Sequence, residues 1–331
     1  MTNEKKKMII GYTCAVAATM FWGIHAVIIR WLLNGGVHPF LVGDLRLFIG
    51  STFLAVVVSF TTLIKEKKLF PKVHYSKFFW LISISLAVNF VIFHIGLKYT
   101  IASDAILLEA FSPIAVLVIV MIFMPDKIKH LMKVADLPYK ILLTLVIGSI
   151  GSALLLINDP KDLLITSHSK LIGDAIEFVA MFTWALVLLG MHEYQQREGS
   201  KYNILAATSQ FLFFAGVMLA PFVPWTEMTA ISSQQWIWIT VLSVGSTGIS
   251  YVLWHLASRY LDIFPLMTLF SLASIFTIIT ESAFLGLQIT WKLAIGAGLI
   301  LYAAIQAKKI NSKYKTVNES TLGEGTGSQK Q

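Results

Sequence analysis

Nine ionisable side chains stand inside stretches that are otherwise apolar: His25, Asp44, Arg46, His94, Asp104, Glu109, Glu177, His255 and Glu281. A charge in that setting is costly, so each is a candidate for function until a structural use is found for it. Glu109 is the sharpest case, with Ser112, Pro113 and Val116 following on the same helical flank. Pro113 has no N–H to offer the Glu109 carbonyl, so the helix is expected to kink there and expose backbone acceptors to a solute. A carboxyl beside such a kink can carry a proton or hold a substrate amine. The plain alternative is a structural Glu paired with Arg46 or His94. Glu177 shares a helix face with Asp174, Met181 and Trp184. A carboxylate beside an aromatic ring can hold a cationic or amphipathic solute. Alternatively, Trp184 packs between helices and Asp174 anchors a helix end.

Arg46 can grip a substrate carboxylate through two parallel hydrogen bonds. It can equally be tied to Asp44, or snorkel toward the headgroups. His25 lies one turn beyond Phe21 and Trp22, where it lines the same region or packs there through a hydrogen bond. Trp22, His25, Arg46, Asn89, Glu109, Glu177 and Trp184 make up the candidate substrate-binding set, and Glu109 and Glu177 the candidate proton-coupling pair. Two further pairs, His94 with Lys98 and His255 with Arg259, sit one turn apart at helix ends and read as structural, since basic groups suit a helix C-terminus.

The elements that position these residues must live in lipid. Of 331 residues, 56% are hydrophobic and 13% charged, against roughly 25% charged in soluble domains. Mean hydropathy is +0.73. The apolar residues fall in blocks long enough to cross about 30 Å of hydrocarbon. Ten candidate spans follow, at 9–30, 40–64, 78–98, 101–124, 139–157, 171–191, 203–223, 235–258, 263–285 and 290–307. Net charge is +8, but the basic residues lie in the gaps between spans and form no nucleic-acid patch. With the N-terminus placed in the cytoplasm, inside gaps hold twenty of the lysines and arginines, outside gaps hold five (Arg30, Lys98, Lys161, Lys170 and Lys292), and Arg46 lies within a span. That asymmetry puts both termini in the cytoplasm of a bacterial inner membrane. In this topology all nine ionisable residues except His255 lie toward the outer half. They are expected to line an outward-facing, hydrated vestibule, or else to touch the headgroup region. The basic opening Met1–Lys7 reads as the flank of a retained first helix. The outer connector is placed at 158–170, and the polar tail 308–331 is expected to be disordered. Cys14 is the single cysteine, which excludes an internal disulfide.

The sequence also repeats. Phe93-His94-Ile95-Gly96-Leu97-Lys98-Tyr99 matches Trp254-His255-Leu256-Ala257-Ser258-Arg259-Tyr260 at an offset of 161 residues. Phe21-Trp22 is echoed by Thr183-Trp184 at an offset of 162. A duplicated unit covering 9–157 and 171–307 follows. Each unit holds five spans, an odd number, so the second must enter the membrane upside down. Inverted repeats of this kind mark secondary transporters, with the solute between the halves.

Several stretches resemble the drug/metabolite transporter superfamily, and within it the EamA-type family. They are Phe21-Trp22-Gly23, Asp44 to Phe48, Leu97 to Thr100 leading to Ser112-Pro113, Gly173-Asp174 through Trp184, and Tyr251 to Tyr260. The likeness spans roughly 9–307. It implies an all-α polytopic membrane fold of two five-helix units and export of amino acids, metabolites or drugs. Arg46 matches the arginine of the family's second span. Two departures stand out. Glu109 occupies a place where small or apolar residues are usual, and Ala273-Ser274 replaces a second proline-containing pair, which argues against a symmetric pair of proline kinks.

Function classes narrow accordingly. No HExxH, GxSxG or GxxxxGK[ST] pattern and no acidic metal cluster occurs, so an enzyme is not expected, and neither is a metal or cofactor. A membrane-embedded enzyme acting on a lipid or small solute stays as the alternative, with a receptor behind it. The expected partners are a small solute and the bilayer. The small residues Gly148, Ser149, Gly151, Ser152, Gly296 and Gly298 in spans 5 and 10 allow close helix packing and suggest a homodimer face there.

Overall fold

A computed structural model describes residues 3–67, 70–100, 102–125, 137–156, 168–285, 291, 293–307 and 309–310. Most of the connector 158–170 and nearly all of the tail 308–331 lie outside the described residues. Among those described, the regular elements are all helical. In chain order they are α1 (Asn3–Asn34), α2 (Pro39–Glu66), α3 (Lys77–Tyr99), α4 (Ala102–Glu109), α5 (Ser112–Phe123), α6 (Leu137–Leu156), α7 (His168–Glu198) and α8 (Ile204–Leu219). Two short 3₁₀ turns follow, then α9 (Ser233–Leu242), a π-helical segment (Ser243–Ile249), α10 (Ser250–Tyr260), α11 (Ile263–Phe270), α12 (Leu272–Leu285) and α13 (Leu293–Ala307).

Local chemistry sets the starts. Ser76 and Asn203 cap α3 and α8 by accepting from backbone N–H groups. Ser232 and Gln235 close a reciprocal capping box at α9. Asp262 caps α11 through the Ile263 N–H at 2.6 Å. Among the described residues, seven helical stretches are long and apolar enough to cross a membrane. The fourth, fifth and tenth expected spans contribute only the shorter apolar helices Ser112–Phe123, Tyr139–Leu154 and Leu293–Ala307. The fourth falls short because it breaks in two at Ala110 and Phe111, between α4 and α5.

Burial runs opposite to that of a water-soluble protein. Val56, Phe60, Ile64, Ile122 and Phe284 are each more than 60% exposed, while Arg46, Asp44, Glu177 and His255 are nearly or fully buried. A surface of aliphatic and phenyl groups suits hydrocarbon, and the polar groups gather where helices shield them from it. The chain is a multi-pass membrane protein.

The two halves interlock about a two-fold relation. α1 packs along α10 and α12, and α7 correspondingly packs along α3 and the α4–α5 pair. α2 packs on α8, where Ser51 Oγ donates to the Ser209 carbonyl and Ser209 Oγ to the Ser51 carbonyl, both at 2.9 Å. Identical residues exchanging identical bonds is what a two-fold produces. Gly11 of α1 lies against Tyr260 and Leu261, and Gly173 of α7 against Tyr99 and Thr100, again at offsets of 162 and 161.

The break in the fourth span is repeated too. Phe111 N–H reaches Leu108 O at 3.0 Å and Ile114 N–H reaches Phe111 O at 2.9 Å; Ser271 and Ser274 N–H reach Thr268 O and Ser271 O at 3.3 and 3.2 Å. The absence of a second proline therefore does not remove the second break. A tightened i→i−3 turn interrupts the helix with or without Pro113. In the first half the freed Ala110 carbonyl is satisfied by Ser149 Oγ of α6 at 3.1 Å.

Candidate functional site

The seven candidate residues all face the interior where the halves meet, and none is more than 7% exposed. They are buried here, whereas the hydrated vestibule expected from sequence would leave them exposed. Trp22 and His25 come from α1, Arg46 from α2, Asn89 from α3, Glu109 from the last position of α4, and Glu177 and Trp184 from α7.

Arg46 is held by three neutral groups. Nε donates to Thr247 Oγ1 at 3.2 Å, one terminal nitrogen to Ser246 Oγ at 3.3 Å, and the other to His94 Nε2 at 3.4 Å. The guanidinium also lies 4.9 Å from the centre of the Phe90 ring. Because a guanidinium can only donate, His94 Nε2 accepts and the imidazole proton sits on Nδ1, which donates to the Phe90 carbonyl at 2.7 Å. His94 is therefore a positioning group for Arg46. Arg46 neither snorkels nor binds Asp44, whose two buried carboxylate oxygens have no hydrogen-bond partner among the described residues. Ser246 and Thr247 lie in the π-helical segment, where the Ser250 N–H reaches back five residues to Gly245 O. That widened turn presents two hydroxyls to Arg46 and the Ser246 carbonyl to Trp22 Nε1 at 3.0 Å. Such segments often mark functional sites.

Glu109 ends α4 just before the break, within electrostatic reach of Arg46. No ion pair joins the two among the described residues, so a structural pairing of Glu109 with Arg46 does not form. Glu177 is fully buried, and neither of its oxygens has a hydrogen-bond partner among the described residues. It feels the charge of Glu109 and lies directly on Gly96 of α3, where a side-chain methyl would overlap its carboxyl. At the repeat-related positions the other half has Ala15 and Ala257, both fully buried. A carboxyl and the glycine that makes room for it thus replace a plain alanine pair.

An aromatic cluster adjoins these charges. The Trp22 ring lies 5.2 Å from Trp184, 5.7 Å from Tyr251, 5.1 Å from Trp254 and 5.9 Å from Phe270. Trp22 and Trp184, the repeated tryptophans, meet edge to face across the two-fold. The indole N–H groups of Trp184 and Trp254 are buried without an acceptor among the described residues.

Several other polar residues of the spans make contacts within the fold. His25 Nδ1 donates to the Trp22 carbonyl and its ring packs on Phe93. Asn89 ties α3 to α7 through the Ala180 carbonyl at 3.0 Å and Thr183 Oγ1 at 3.1 Å. Lys170 clamps Asp104 at 2.6 Å and Asp174 at 3.0 Å, and Asp174 also accepts from Thr100 at 2.5 Å. His255 differs in role from its repeat partner His94: it packs on Phe211 and Tyr194.

Sequence reasoning gave no site role to Ser246, Thr247, Tyr251, Trp254, Phe270 or Gly96. The run Ser243-Val244-Gly245-Ser246-Thr247-Gly248, too polar and too small for a lipid-facing stretch, was the signal for the first two. Trp254 and Gly96 stood in the repeated segment itself.

Comparison with known proteins agrees with this architecture. The EamA-like transporter family matches residues 9–157 and 171–306, the two halves seen here. An uncharacterized transporter of Archaeoglobus fulgidus is 24% identical over 296 residues, 85% of this chain and 92% of its own. A solved crystal structure is 16% identical and superposes with a TM-score of 0.67 over 93% of this chain and 97% of its own; at that identity the likeness speaks to fold alone. With the family matching both repeats almost end to end, the chain belongs to the EamA-like transporter family and is a membrane transporter.

Proposed function

We propose that the chain exports a small zwitterionic metabolite, an amino acid or a close relative, by proton-coupled alternating access. One observation carries this reading. Arg46 is buried and held among the described residues by uncharged groups only. A buried cation lacking a contacting counter-charge is costly, and a substrate carboxylate would supply that charge with two parallel hydrogen bonds. Glu109 and Glu177 stand on the same interior as acceptors for an amine or a proton. The unpartnered indole N–H groups and carboxylate oxygens add hydrogen-bonding capacity that a polar solute would use.

Ten spans, laid as two inverted five-helix units in a bacterial inner membrane with both termini cytoplasmic, belong to the same proposal. The skewed lysine and arginine distribution and the two-fold contacts support it. Cys14 replaced by Ser gives a cysteine-free background for labelling at Lys98 and Arg259. The inverted arrangement requires these two positions to react from opposite sides, and reaction from one side sinks it.

Transport is tested by flux. Cells overproducing the protein are challenged with toxic amino acid analogues, amines and drugs, and the class that gives resistance is then followed in reconstituted vesicles. Uniform sensitivity removes the export reading. Glu109→Gln and Glu177→Gln are each expected to lower flux and flatten its pH dependence; unchanged flux and pH profile in both removes proton coupling.

A further inference from the structure

Two lateral hollows lie away from the central residues. A groove of about 610 Å³ between α2 and α8 is lined by Ser, Thr, Gln and apolar side chains and carries no charge. A second groove, of about 340 Å³, runs between α6 and α13, the last helices of the two halves, and is polarised along its length.

On α6 its wall is Lys140, Leu143, Thr144 and Ile147, spaced as one helical face; on the other side it is Tyr302, Gln306, Lys309 and Ile310. The two helices run antiparallel through the bilayer, so Lys140 near the start of α6 and Lys309 just beyond the end of α13 meet at one end. Tyr139 stands beside them. Away from that end Leu143, Ile147 and the Tyr302 ring alternate with Thr144 and Gln306, and the groove faces outward: Tyr139 is 67% exposed, Leu143 42% and Tyr302 50%. Gly148 and Gly151 do not open onto a partner. Their free sides meet Ser271, Ala303, Gly296 and Ile300 of the same chain, whereas no described atom lies within 4 Å of the free side of Gly298.

We infer that this groove binds one anionic phospholipid, its phosphate between Lys140 and Lys309 and an acyl chain along Leu143, Ile147 and Tyr302. Charge complementarity selects the occupant. Two ammonium groups and the Tyr139 hydroxyl at the headgroup level match a phosphodiester, and Leu143, Ile147 and the Tyr302 ring match a fatty chain. Lysines at Lys127, Lys129, Lys133, Lys308, Lys313 and Lys315 flank both helix ends in sequence, which raises the local anionic-lipid concentration. The site joins the closing helix of each half, so an occupied groove ties the halves together.

The test uses the full chain in detergent, titrated with phosphatidylglycerol or with phosphatidylcholine of the same chains and read by native mass spectrometry. One phosphatidylglycerol per chain is expected to be retained in preference to phosphatidylcholine, with retention falling as salt rises. K140Q/K309Q is expected to bind it roughly thirtyfold more weakly, about fivefold for each basic group. K5Q/K6Q, which removes the same charge at exposed positions on α1, is expected to bind as the parent does. Equal retention of the two lipids, or equal loss in both variants, overturns the inference. A mass of two chains that grows with concentration, needs no phosphatidylglycerol and is abolished by Tyr302→Lys overturns it in favour of a second copy in the groove.

Discussion

Replacing Gly96 by alanine probes a place where one half carries a buried charge and the other an alanine pair. The added methyl would stand 2.6 Å from Glu177 Cδ and 2.8 Å from Cγ. Ordinary carbon contacts lie near 3.5–4.0 Å, so the carboxyl must retreat by about 1 Å. Glu177 is fully buried, and its end cannot swing into solvent. Overpacking of this kind costs about 1–3 kcal/mol. Glu177→Ala removes the obstruction together with a carboxyl whose oxygens have no partner. The double variant G96A/E177A installs the alanine pair that the other half already uses at positions 15 and 257. Its stability is therefore expected to return to within about 1 kcal/mol of the parent, giving a coupling between the two sites of about 1–2 kcal/mol. Thermal unfolding of the purified protein, followed by tryptophan fluorescence, supplies the four midpoints of the cycle. Transport by the double variant is expected to be lost although its fold is restored. A G96A protein as stable as the parent, or single effects that simply add, would refute the close contact and with it the reading of Glu177 as a tolerated charge.

Further outcomes follow from the same geometry. Arg46→Ala is expected to weaken apparent substrate affinity by about 1.5–3 kcal/mol, the worth of a charged hydrogen bond, with Arg46→Lys intermediate because an ammonium cannot reproduce the planar fork; vesicle uptake across substrate concentrations measures both. Thr247→Ala, which removes a single neutral hydrogen bond to Arg46, is expected to cost about 0.5–1.5 kcal/mol in the same assay. Trp22→Phe keeps a ring in the cluster but loses the bond to the Ser246 carbonyl, and a fall of about 1 kcal/mol in stability is expected, against about 3–5 kcal/mol for Trp22→Ala. Lys170→Gln breaks two partly exposed ion pairs and is expected to cost no more than about 1 kcal/mol of stability while leaving uptake unchanged.

Much of the site was legible residue by residue. Arg46, Glu109 and Glu177 declare themselves because charge inside an apolar run has no cheap explanation. Their company did not. Ser246 and Thr247 lie two hundred residues from Arg46, and nothing local in either segment states that a π-helical turn will bring them together. His25 and Asn89 stood in the candidate set, and Asp104 among the ionisable residues of the spans. Only their contacts with the Trp22 carbonyl, with α7 and with Lys170 reveal structural work.

Composition and periodicity alone determined that the chain lives in lipid, that it is helical, and that it is a duplicated unit. Those properties follow from the free energy of apolar transfer and from the need of each spanning segment to satisfy its own backbone, which are local quantities summed along the chain. Tertiary structure alone decided which charges face one another, that the second break forms without proline, and that Glu177 rests on Gly96. These depend on how two copies of the unit approach across a two-fold, and a contact between distant segments is written in neither segment by itself.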